Sequence, residues 1–247
     1  GGRSAILPAI KPLGEFDEDE AAFETEGAGA LDLAPPISSV DRLLVLAPLV
    51  RAWKRRLPAH VAALFEEEVV VPASTADAIW LARDLAALMD EIETEGSDWA
   101  KLAGLVSGEL SSWWQVTLDF LSIVTSVWPD LLAERDQSNP AAHRSALIRL
   151  EAERLRRNPP AGPVIAAGST GSIPATAELL AAIARLPRGA VVLPGLDATL
   201  DEAAFAAITA PDLRASALGH PRYGLAKLIG KIGMCRGVIE ELAAPLQ

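Results

Sequence analysis

The sequence predicts an α/β protein in which a small parallel sheet carries a large, mainly helical insertion. Three observations predict it. A strand–helix–strand pattern spans residues 163–193, a block of amphipathic helices precedes it over 37–158, and a short apolar run lies ahead of that block at 3–10. Strand, crossover helix and strand within about 30 residues make a βαβ unit, whose strands run parallel with a right-handed crossover. A helical block between two sheet segments fits an insertion into one α/β domain better than two domains in tandem. The expected organisation is therefore 1–36 as the start of the sheet domain, 37–158 as the helical insertion and 159–247 as the return to the sheet domain.

Each element has a local reason. Residues 3–10 (RSAILPAI) read as a strand that Pro12 ends. The acidic, glycine-containing stretch to Pro35-Pro36 reads as a surface loop. A helix over 40–56 follows, and Pro48 inside its pattern is expected to kink it by removing a backbone donor and crowding the preceding turn. The clearest helix covers 75–95: Ser74 or Thr75 can cap its start and Gly96 can end it. Ala78, Leu81, Ala82, Leu85, Leu88, Met89 and Ile92 recur along it as one apolar stripe. A short helix over 98–105 comes next. In the helix over 110–128, one stripe is Leu110, Trp113, Trp114, Thr117, Leu121, Val124 and Trp128, and the other Val116, Phe120, Ile123 and Val127. A helix apolar nearly all round belongs in the middle of a helical layer.

Asn139 and Pro140 suit the N-cap and first position of a helix over 140–157, and Arg154, Arg156 and Arg157 suit its negative end. Residues 163–168 (PVIAAG) and 189–193 (GAVVL) read as buried strands on either side of a helix over 173–186 that starts near Pro174. Helices over 199–208 and 221–234 complete the chain.

Composition excludes several chemistries. Of 247 residues, half are apolar and 45 are alanine, so the chain is not disordered overall. The net charge is −11, and all of the excess lies in residues 1–100, with 8 basic and 19 acidic side chains. A chain this acidic repels phosphate and is not, by itself, a nucleic-acid binder. A single cysteine, Cys235, excludes an internal disulfide and a cysteine-caged metal. His60, His143 and His220 are far apart and form no HExxH-type ligand pair. The run Asp17–Glu20 offers carboxylates for a metal, but it has no partnered base. The stretch Leu110–Pro129 has one charge, Asp119, yet its seven hydroxyl or amide side chains disfavour a membrane span. Residues 1–20 carry no secretory pattern, so a cytoplasmic protein with no membrane partner is expected. The Gly-Gly-Arg start leads us to expect a piece of a longer protein.

The candidate ligand site is the loop Gly168, Ser169, Thr170, Gly171 and Ser172. It follows a strand and opens a helix, where an open α/β sheet places phosphate-binding amides. GxxxxGK[ST] and GxGxxG are both absent, and no lysine follows the loop. A small-residue turn that lets strand and helix pack closely explains it at least as well. G-S-T-G-S is out of register for a nucleophile elbow. Trp113 and Trp114 diverge by about 100° on a helix and cannot form one base-stacking platform. Lys54-Arg55-Arg56 and the arginines at 154, 156 and 157 are too few for a nucleic-acid track.

Four segments carry a resemblance: ILPAIKPLGEFDEDE, DEIETEGSDWAKLAGLV, WWQVTLDFLSIVTSVWPDLLAER and PPAGPVIAAGSTGSIPATAELLAAIARLPRGAVVLPGLD. Together they resemble AddB of alphaproteobacteria, the partner subunit of the AddAB helicase–nuclease that processes double-strand DNA breaks. The resemblance implies a RecA-like sheet of a degenerate superfamily 1 helicase, with a helical insertion, in the N-terminal part of a much longer chain. It implies as partners an AddA-like helicase–nuclease subunit, the remaining AddB domains and, through the full complex, DNA. In an active motor, the strand matching Pro163–Ala167 would end in the Mg²⁺-binding acid. Here it ends Ala166-Ala167-Gly168-Ser169-Thr170, so no carboxylate can hold the metal or activate water. No catalytic residue and no cofactor are expected in this chain, and Mg·ATP is expected neither to bind nor to be hydrolysed. The alternative is a small-ligand or nucleotide-binding α/β enzyme built on the Gly168–Ser172 loop.

Overall fold

Residues 10–13, 33–56, 74–104, 111–195, 201–208, 223–234 and 236–240 are described by the computed structural model. Contacts divide the chain into two units, Leu31–Arg144 and a discontinuous one of Gly1–Ala30 with Ser145–Gln247.

The Leu31–Arg144 unit is helical. Helix α1 (Ser39–Arg56) runs without interruption past Pro48. Helix α2 (Thr75–Thr94) starts in a capping box: Ser74 Oγ accepts from the Asp77 amide at 3.2 Å, and Asp77 Oδ2 accepts from the Ser74 amide at 2.9 Å. Its end is a Schellman motif, with the Ser97 amide on the Ile92 carbonyl at 2.9 Å and the Gly96 amide on Glu93 at 3.1 Å. Gly96 takes the left-handed φ of 60° that this motif needs. The stripe of α2 faces inward at Ala78, Ala82, Leu85 and Met89. Leu88 departs from it: it sits on the stripe's edge, 37% exposed, and Ala86 is buried instead. The expected helix over 98–105 is a 3-10 helix, Trp99–Gly104.

The helix expected over 110–128 goes further. It consists of α3 (Ser111–Ser122), a π-helical turn (Ile123–Val127) and α4 (Trp128–Glu134). Proline normally breaks a helix because it lacks an N–H and crowds the carbonyl four residues back. Here the π turn widens the ladder just before Pro129, and the Trp128 amide reaches back to the Ile123 carbonyl. Nor is the helix apolar all round. Leu121, Ile123, Val124 and Trp128 are buried, while Thr117, Asp119, Ser122, Thr125 and Ser126 are exposed. Val116–Glu134 is long and apolar enough by composition to cross a membrane. Its buried side, however, packs with Leu46 and Val50 of α1 and Leu85 and Met89 of α2 in one core, and Trp53 meets Phe120 edge to face at 4.9 Å.

Helix α5 (Pro140–Arg157) starts at the proline as expected. From Ser145 on, it counts with the other unit, because Ile148, Ala152 and Leu155 belong to that unit's core.

In the second unit, β1 (Val164–Ala167) pairs in parallel with β2 (Gly189–Val192), Ala166 opposite Val191, and α6 (Pro174–Ala184) is the crossover. Helices α7 (Glu202–Ala207) and α8 (Tyr223–Ile232) follow; residues 199, 200, 221 and 222 of the expected helices lie outside the described residues. Alternation places Ala166 against α6, with Val164 and Val191 packed beside it. The strands are not buried on both faces as expected. Ile165 is 65% exposed, and Ala167 and Ala190 on the same face are exposed too. The expected strand at 3–10 lies outside the described residues except for Ile10, which is not in a strand, and so does most of the acidic loop.

Candidate functional site

The Gly168–Ser172 loop leaves the carboxyl end of β1 and enters α6, as expected, but its two halves serve different ends. Gly171 is buried with φ +59°, and a Cβ there would stand 2.7 Å from Leu228 Cδ1 and 3.2 Å from Leu180 Cδ1. Only glycine combines that backbone conformation with so close an approach of α6 and α8. The packing explanation of the loop therefore holds at Gly171.

Two of the loop's amides are already engaged within the protein. The Gly168 amide donates to the Val192 carbonyl at 3.2 Å, and the Gly171 amide donates to Ser169 Oγ at 3.2 Å. The first position of α6 is Pro174, which has no N–H. What faces outward is the first half of the loop. Gly168, Ser169 and Thr170 line a cavity of about 720 Å³, together with Ile165 of the bare sheet face and residues 10–13. Ser172 is exposed and does not line it.

That cavity also contains a residue the sequence reading missed. Among the described residues, Lys11 is the charged one that lines it. The loop does have a lysine beside it, but from the far end of the chain. A KxL/KP signature upstream of a strand carries no general meaning, so only the fold could bring Lys11 to Ser169 and Thr170.

The other polar cluster lies in the helical unit. Arg42 of α1, only 5% exposed, donates through Nη1 to both carboxylate oxygens of Asp90, at 2.9 and 2.8 Å, and through Nη2 to the Ala86 carbonyl at 3.0 Å. This bidentate clamp joins α1 to α2. Close by, Glu93 turns toward the first turn of α5, where it faces Asn139 and the amide of Ala142. Asn139 does not cap α5 as expected: its side-chain Oδ1 and Nδ2 are buried and have no partner in hydrogen-bond geometry. Burial raises the Glu93 pKa above the ordinary glutamate range. Asn139 and the Arg42 guanidinium act to lower it, Asp90 to raise it, and the Ala142 amide to lower it.

A pH dependence follows. Where folding raises a carboxyl pKa, the native state holds the proton more tightly than the unfolded chain. Glu93 therefore contributes stability below its unfolded pKa of about 4.3, and that contribution fades as pH climbs through the raised native value. Glu93→Gln is expected to flatten this fall, and to leave the protein no less stable at neutral pH. Thermal melts of both proteins from acid to neutral pH check this; parallel curves would contradict it.

Among the described residues no group of three His, Cys, Asp or Glu side chains could hold a metal ion. Asp17–Glu20, His60, His220 and Cys235 lie outside the described residues, while His143 bonds through Nδ1 with the Ala34 carbonyl at 3.0 Å, a structural contact. Trp114 is half-buried, and nothing is described of the Trp113 side chain.

No protein-family model, curated protein or solved structure matches the chain.

Proposed function

We propose that this chain is a non-catalytic, helicase-like scaffold region of an AddB-like subunit in a DNA double-strand-break repair helicase–nuclease. Its role is subunit assembly and, within the whole complex, DNA handling. The resemblance of the four segments motivates this reading. The observation that carries it is the bare face of the β1–β2 sheet. Parallel sheets are covered on both faces, and a sheet of two strands, the number seen among the described residues, is marginal by itself. Ile165 at 65% exposure marks a face that further protein would cover.

Two further observations support the reading. The sequence at the carboxyl end of β1 reads Gly168, Ser169 and Thr170, without the acid that a motor carries at that strand end. In the helical unit, Val40, Leu44 and Ile79 line one apolar groove and are exposed between 44% and 67%, a second apolar surface suited to association. The net charge of −11 opposes attraction to DNA by this chain itself, in keeping with a reading in which the partners supply it. The test is association of this chain with the AddA-like subunit and the remaining AddB-like domains, compared between wild type and Ile165→Asp.

A further inference from the structure

We propose that the apolar groove on α1 is a self-association surface, on which a second copy of this chain lays its own α1 antiparallel across a two-fold axis. This goes beyond the scaffold reading and does not rest on it.

The groove is apolar along most of its length. Val40, Leu44, Pro48 and Ala52 of α1 line it with Ile79 of α2, and its volume is about 510 Å³. All five are exposed. From residue 40 to residue 52 an α-helix rises about 18 Å, a little over three turns. An apolar strip of that length is stabilised by being covered. A helix of similar length suits it, as when one amphipathic helix lies in the groove of another protein.

Helix α1 itself matches that description. An antiparallel two-fold pair centred at residue 46 sets Val40 opposite Ala52 of the second copy and Leu44 opposite its Pro48. In the same register Asp41 falls opposite Arg51, and the axis makes the pair twice. A parallel pair would set Arg51 against Arg51 and Asp41 against Asp41, so charge selects the antiparallel one. Both charged residues are exposed and have capacity for the contact. Asp41 accepts from Ser38 Oγ through Oδ2 at 2.7 Å, which leaves Oδ1 as an acceptor. Arg51 donates from Nη1 to Thr75 Oγ1 at 3.3 Å, a neutral partner that leaves the guanidinium its charge and its remaining donors. Leu46, at the centre of the register, is buried in the core and takes no part in the contact.

The experiment is sedimentation equilibrium of the full chain at low salt, from about 10 µM to about 500 µM, the range in which so small an interface associates. A monomer–dimer equilibrium is expected. Arg51→Asp turns two attractions into two repulsions and should weaken the dimer about tenfold. Asp41→Arg should do the same, and the double exchange of Asp41→Arg with Arg51→Asp should restore association. Ile165→Asp, which tests the scaffold reading, should leave the dimer unchanged, so the two proposals fail separately. Circular dichroism checks that the variants fold. Arg51 caps no helix end, so Arg51→Asp carries the test even where Asp41→Arg weakens the start of α1. A chain that stays monomeric throughout would overturn the proposal and leave the groove to a partner of another kind. So would a dimer that Arg51→Asp leaves intact, or a double exchange that associates no better than Arg51→Asp alone.

Discussion

Replacement of Gly189 by alanine is expected to unfold the sheet-containing unit or to destabilise it by about 3 kcal/mol or more, the upper range for overpacking. Gly189 opens β2 directly after the turn that leaves α6. A Cβ at this position would stand 1.8 Å from the Ile183 carbonyl oxygen and 2.9 Å from Leu186 Cβ. The first neighbour is backbone, so no side-chain rotation relieves the clash. Either the end of α6 or the start of β2 must move, and with it the Val164 amide bond to the Arg188 carbonyl at 3.0 Å. Gly162→Ala is the control, since a Cβ there meets nothing within 4 Å. It should stay within about 0.5 kcal/mol of wild type. Chemical denaturation followed by circular dichroism reads both. A near-native Gly189→Ala would show that β2 does not leave the helix as tightly as described.

Leu121→Ala should destabilise the helical unit by about 2–5 kcal/mol, the usual range for a buried leucine truncation. Leu121 is 6% exposed and belongs to the core that α3 and the π turn share with α1 and α2. The loss combines transfer of the removed methyl groups with the cavity left among neighbours that cannot fully collapse. Ser126→Ala, on the exposed side of the same continuous helix, should be near neutral. Equal melting temperatures for the two variants would mean that this helix does not anchor the helical unit.

What could be read from the sequence was local. Helix α2 announced itself through Ser74, Gly96 and its apolar stripe, because caps and a 3.6-residue periodicity are encoded locally. The βαβ unit was equally legible, since GAVVL, PVIAAG and the Pro174 start each carry their own signal. Three features were not legible. Pro129 reads as a stop, and only the packing of Trp128 and Leu132 into the core shows why a π turn is worth forming instead. Ile165 sits in an apolar run that suggests burial on both faces, yet exposure depends on what covers the sheet and not on the strand. For the site, the sequence located the Gly168–Ser172 loop and offered a closely packed small-residue turn as one reading of it, but the contact of Gly171 with Leu228 needed the fold. The sequence could not supply Lys11, because nothing local ties residue 11 to residue 169. Leu88 shows the same limit within one helix: periodicity defines a stripe, but tertiary packing decides how wide the buried part is.

The scaffold reading is tested most directly by mass measurement of the assembly in solution. The chain would be mixed with the AddA-like subunit and the remaining AddB-like domains, and the complex sized by light scattering after gel filtration. The account predicts a stable complex whose mass includes this chain, and its loss with Ile165→Asp, which places a charge on the open sheet face without disturbing the core beneath Ala166. A wild-type chain that elutes alone, or an Ile165→Asp chain that assembles as well as wild type, would contradict it.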